Sequence, residues 1–173
     1  MALLSLIILG FAVFQAVPES EQPIPDQQTT VAEQQALAVL ETLDVKGRAP
    51  KTDYSRDQFG SGWSIVNGCD TRSIILYRDL TNTILDEDCK VVSGTLNDPY
   101  TGSIIQFHKD SSSSVQIDHV VALSDAWQKG AQQLTRQTRI QLANDPLELL
   151  AVDGPANMEK GDGDAATWLP SNK

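Results

Sequence analysis

Apolar and polar positions alternate along this chain in several distinct rhythms. Residues 1–17, MALLSLIILGFAVFQAV, are apolar almost throughout and carry no charge. The run is shorter than the roughly 20 residues of a spanning helix, so it reads as the hydrophobic stretch of a signal peptide or as an N-terminal membrane anchor. Residues 18–28, PESEQPIPDQQ, are polar, contain three prolines and have no period, as a linker does. Thr30 and Glu33 then stand at capping-box spacing, and Val31, Ala36, Leu37, Leu40 and Leu43 fall on one face of a helix that stops at Gly47. That face marks a docking helix. Asp70 is placed to cap a helix over 71–80. Strand-like runs over 89–96 and 103–107 flank the turn cluster 97–102, predicting a β-hairpin. After a serine-rich loop at 111–114, the pattern gives a strand over 115–121, helices over 124–130 and 135–143, and a buried strand over 147–152. Asp153-Gly154-Pro155 turns the chain into a last helix from about Ala156 to Lys160, where Asn157 could serve as a cap. The mixture predicts an α+β domain from residue 29 onward, with no internal repeat.

Composition narrows the partners. With 13 Lys and Arg against 23 Asp and Glu in 173 residues, the net charge is -10, which excludes a protein that coats nucleic acid or an anionic membrane by bulk electrostatics. A phosphate-rich partner must be gripped locally. One basic stretch is available, residues 46–63, in which Lys46, Arg48, Lys51 and Arg56 interleave with Tyr54, Phe59 and Trp63. Arg48 and Lys51 are its candidate phosphate contacts, or else ordinary solvated charge. The two cysteines, Cys69 and Cys89, form no CxxC motif, which argues against a zinc-held module. In an exported chain they read as a disulfide, stabilising by about 3 kcal/mol; in a cytoplasmic one they would be buried thiols.

The candidate chemistry lies in Asp118-His119, at the end of one strand, and Asn157-Met158-Glu159-Lys160, after the second strand and its turn. A carboxylate and a carboxamide oxygen suit a hard divalent cation, with Mg²⁺ or Mn²⁺ the expected one. An imidazole beside it can take a proton from water near neutral pH. Asp162 and Asp164 lack the remaining donors of an EF-hand and read as a polar turn. His108 reads as a surface residue, and Trp127 and Trp168 as core.

From Lys46 to Lys173, through KGRAPKT, CDTR, RDL, SGTLNDPYTG, QIDHVVALSDAWQKGA and ANDPLELLAVDGPANMEKGDGDAATWLP, the sequence resembles the HNH-type nuclease domain of GmrSD restriction endonucleases and of stand-alone secreted bacterial proteins. The resemblance implies a ββα-metal (His-Me finger) core and a metal-dependent endonuclease. DNA is expected as substrate ahead of RNA, and the protein is expected to be monomeric, secreted or anchored at the cell surface through residues 1–17. His119 corresponds to the general base, Asp118 and Asn157 to the ligands of one divalent ion, and Lys160 to a phosphate or structural contact. Arg72 and Arg78 lie on a helix that faces the site in the family and are expected to bind phosphate. Two departures stand out. Glu148 occupies a catalytic-site position where the family has asparagine, and a carboxylate accepts hydrogen bonds but does not donate them. Relatives also typically continue beyond LPSNK, so a C-terminal element is expected to be missing. The alternative reading is a catalytically impaired binding module on the same scaffold.

Overall fold

The computed structural model describes residues 30–111 and 113–172, so the expectations for residues 1–17 and 18–28 lie outside the described residues. The chain divides into two compact units, Met1–Val45 and Lys46–Lys173. In the first, α1 (Val31–Glu41) starts with the anticipated capping box: Thr30 accepts from the Glu33 N–H, and the Glu33 carboxylate accepts from the Thr30 N–H at 2.6 Å. Val31, Leu37, Leu40 and Leu43, on the apolar stripe, are exposed. Among the described residues no helix is long and apolar enough to cross a membrane.

The second unit is α+β. A 3-10 turn, Arg56–Phe59, precedes a short ribbon of β1 (Ile65–Val66) and β2 (Cys69–Asp70). Asn67 and Gly68 both have positive φ at its tip, a two-residue hairpin signature that the pattern of apolar positions passes over. Asp70 caps α2 (Thr71–Asp79), its carboxylate accepting from the Ser73 N–H at 2.8 Å. The predicted hairpin is larger than expected. β3 (Leu80–Leu85), β4 (Val91–Asn97) and β5 (Ile104–His108) form a three-stranded antiparallel sheet, in which Leu80 leaves the helix and pairs with Leu96. β3 is mostly exposed, so its sequence lacks the alternation that reveals a strand. Cys69 and Cys89 form a disulfide that joins β2 to the approach to β4.

The site-bearing motif follows. β6 (Val115–His119) pairs antiparallel with β7 (Leu149–Asp153), with Asp118 opposite Leu150 and His119 opposite Leu149. α3 (Leu123–Gln128) and α4 (Arg136–Ala143) lie between the two strands in sequence, and α5 (Gly154–Lys160) follows directly. This is a ββα core, as the resemblance implied. The last helix begins earlier than predicted: Asp153 is its cap, accepting from the Ala156 N–H at 2.8 Å, so Asn157 sits within the helix and not at its start. A side chain at Gly154 would meet the Ser113 carbonyl at 2.1 Å, so only glycine lets the helix start pack against that loop.

Two apolar clusters hold this frame. Ile75, Leu76, Leu96, Phe107, Val115 and Ile117 belong to one, which unites α2, the three-stranded sheet and the β6–β7 pair. Phe59, Leu123, Trp127 and Ala143 belong to the other, which ties the 3-10 turn to α3 and the end of α4. Trp127 is core as expected, whereas Trp168 is only half-buried.

Candidate active site

His119 ends β6, where the strand meets the second apolar cluster. Its Nε2 lies 2.9 Å from the Ala143 carbonyl, which can only accept, so Nε2 carries the proton and Nδ1 keeps its lone pair. The Trp63 indole is stacked near the imidazole, with ring centres 5.9 Å apart and an interplanar angle of 7°. Burial pushes the imidazole pKa below its ordinary value of 6.5; the Ala143 bond opposes this, Arg56 adds to it, and Asp118 and Lys160 act in opposite directions. The ring is therefore neutral at pH 7.

His119 opens on a cavity of about 250 Å³ whose lining includes Arg56, Gln116, Asp118, Ser124, Asn157 and Asp162. Gln116 and Asp118, two positions apart on β6, share one face of the strand. The Asn157 amide nitrogen donates to the Gln116 side-chain oxygen at 2.9 Å, tying α5 to that face. A second cavity, of about 120 Å³, is lined by Arg56, Phe59, Gly60, Gly62 and Trp63 and shares Arg56, His119 and Leu123 with the first.

Beneath the dipeptide lies a buried polar knot. Lys160 donates to Asp118 Oδ2 at 2.6 Å and to the His119 carbonyl at 2.7 Å. The Tyr100 hydroxyl donates to the same Oδ2. Burial first, and then the Asp118 carboxylate, raise the Tyr100 pKa far above its usual value, so the hydroxyl stays protonated as a donor. Behind it, Trp168 packs edge-on at 4.9 Å, and the Ser171 hydroxyl and Asn172 N–H both donate to the Tyr100 carbonyl.

The sequence-predicted residues thus fall into two groups. His119, Asp118, Asn157 and Lys160 converge. Glu148 lies just before β7 and is bonded to the loop after His119: its carbonyl accepts from the Val120 N–H at 2.8 Å and its carboxylate from the Val121 N–H at 3.3 Å. A pure acceptor is sufficient for that tie. The expected phosphate contacts have other partners. Arg48 reaches Asp125 at 2.7 Å and Asp164 at 3.1 Å, and Lys51 reaches Asp162 at 2.9 Å. Arg78 is paired with Asp79 and donates to the carbonyls of Pro146 and Leu149. Arg72 lies over the Phe107 ring and lines a separate groove with Lys90 and Lys109. Neither Arg72 nor Arg78 lines the His119 cavities.

Sequence reasoning missed Gln116, Tyr100, Trp63 and Arg56 as neighbours of the site. Period-two spacing from Asp118 could have found Gln116; Arg56 and Trp63 stood out only as members of the basic, aromatic-rich stretch 46–63, and nothing in the sequence marked Tyr100 as a neighbour of the site. Among the described residues no three His, Cys, Asp or Glu side chains gather as a metal site, so a cation here would draw on amide oxygens as well. The arrangement combines a neutral base with oxygen donors at one cavity.

Comparison with known proteins bears on residues 71–173, which match the family described as GmrSD restriction endonucleases, C-terminal domain. The chain is also 35% identical over 167 residues to an "Uncharacterized secreted protein" of Arthroderma benhamiae (strain ATCC MYA-4681 / CBS 112371), covering 95% of this chain and 78% of that protein. No solved structure matches. The family match takes in the whole ββα motif; Arg56 and Trp63 precede it.

Proposed function

We propose, from the premise that this chain belongs to the family of the GmrSD restriction endonuclease C-terminal domains, that it hydrolyses phosphodiester bonds of nucleic acid, DNA foremost, with the help of one divalent metal ion. The observation that carries this reading is the meeting of His119, Asp118 and Asn157 at one cavity, with the His119 Nε2 proton held by Ala143. The donor set there is oxygen throughout, from Asp118, Asn157, Gln116, Ser124 and Asp162, and fits a hard cation such as Mg²⁺ or Mn²⁺. Asp118 and Asn157 would hold it. When bound, such an ion neutralises charge that develops on the phosphorus oxygens and the leaving oxygen.

His119 takes the proton of the attacking water at Nδ1, because Nε2–H is fixed on the Ala143 carbonyl and the ring is neutral. Lys160 and Tyr100 both bind Oδ2 of Asp118, which orients the carboxylate and leaves Oδ1 as its oxygen for a cation. Lys160 is therefore a positioning residue, bridging Asp118 to the backbone of the base. Glu148 holds the loop after His119 in the role that an amide fills in the family. We also read the protein as exported, supported by the Cys69–Cys89 disulfide and by the name of its fungal relative.

The test is plasmid nicking. The purified protein is expected to cleave with Mg²⁺ or Mn²⁺ and to stop with a chelator, and His119→Ala is expected to lose about 10²- to 10⁴-fold in rate. Full cleavage by His119→Ala would remove the mechanism. Cation binding by the wild-type protein without any cleavage would instead make it a binding module on a nuclease scaffold.

A further inference from the structure

An anionic substrate approaching a protein of net charge -10 needs a local cation, and a phosphodiester entering the larger cavity would also face the carboxylates of Asp118 and Asp162. Arg48 and Lys51 are engaged by carboxylates, and Lys160 is held beneath the site. Arg56 differs from all three. It is exposed, no carboxylate is within ion-pair distance of it among the described residues, and it is the Lys or Arg side chain that lines both cavities meeting at His119. Its backbone is also anchored. Phe59 closes the same 3-10 turn in the second apolar cluster at 2% exposure, and Arg139 donates to the Gln58 carbonyl at 3.0 Å and to the Gln58 side-chain oxygen at 3.1 Å.

We infer that Arg56 forms a phosphate subsite at the junction of the two His119 cavities and binds the non-bridging oxygens of the phosphodiester that is cut. The planar guanidinium offers two parallel N–H donors to such oxygens. Negative charge on those oxygens grows as water adds to phosphorus, so the contact strengthens in the transition state and acts mainly on kcat. The catalytic part of this inference rests on the nuclease reading given above; the anion subsite does not.

Two measurements on the full-length protein separate the two ideas. In plasmid nicking, Arg56→Ala is expected to lower kcat by about 10²-fold, with partial recovery in Arg56→Lys, which restores charge but not the paired donors. Arg136→Ala, an equal loss of exposed charge at a residue that borders Gly60, Gly62 and Trp63 but lines neither His119 cavity, is expected to stay within about twofold of wild type, since an exposed charge that does not touch the substrate is largely screened. The second measurement needs no turnover: inorganic phosphate is titrated against the amide resonances of Gly60 and Gly62, which line the smaller cavity with Arg56. Shifts in the wild type that disappear in Arg56→Ala support the subsite even if the wild-type protein cuts nothing. Equal shifts in both proteins overturn it, and so does a wild-type kcat in a folded Arg56→Ala variant.

Discussion

Two sets of opposite charges border the same cavity and differ in almost everything except chemistry. In one, Lys160 and Asp118 are 5% and 6% exposed, the carboxylate also accepting from the Tyr100 hydroxyl and the ammonium also donating to the His119 carbonyl. In the other, Lys51 and Asp162 are 49% and 52% exposed, while Arg48 and Lys129 meet Asp125 and Asp164 near the surface. Between the extremes sits Asp125, 4% exposed, whose Oδ1 is 2.7 Å from the Arg48 guanidinium without an aligned hydrogen bond. A charge taken out of water is costly unless paired, whereas an exposed pair gives up little water and gains little. The buried set therefore dictates geometry at His119, and the exposed set fastens the 162–164 turn loosely to α3 and to the basic loop.

Removing partners tests that contrast, beginning with the largest effect. Lys160→Met is expected to lose about 3–5 kcal/mol in urea unfolding, because it strands the Asp118 carboxylate in the interior, and to abolish nicking. A loss under about 1 kcal/mol would mean that water reaches the pair and that the contrast is false. Tyr100→Phe is expected to lose less, about 1–3 kcal/mol, since Lys160 still serves Oδ2. Lys51→Ala is the smallest, below about 1 kcal/mol. Its sign with pH is fixed. The Lys51 bond, followed by that of Ser124, holds the Asp162 pKa below its ordinary value of 3.8. The stabilisation is thus present above the unfolded pKa and fades as pH falls through the lower folded one, so the difference between Lys51→Ala and wild type should vanish in strong acid.

Much of the architecture was legible beforehand because its signals are local. Thr30 with Glu33, and Asp70, announced helix starts that the structure confirms, each by a side chain bonding a backbone N–H within three residues. The turn cluster 97–102 announced the hairpin of β4 and β5. β3 was missed because an exposed edge strand needs no alternation. The final helix was misplaced by two residues because both Asp153 and Asn157 can cap, and the close contact of Gly154 with Ser113, far earlier in the chain, favours the earlier start.

The sequence alone determined most helix starts, the hairpin of β4 and β5, the strands β6 and β7 and the Asp118-His119 dipeptide at the end of one of them, because spacing and short motifs carry that information within a few residues. Which cations remain available to a substrate was decided only in three dimensions. Arg48, Lys51 and Arg56 are equivalent by composition, yet Asp125, Asp162 and Asp164, far along the chain, engage the first two and leave the third at the cavity. A charge's role depends on which groups lie within a few ångströms of it, and those neighbours are brought by the fold rather than by adjacency in the chain.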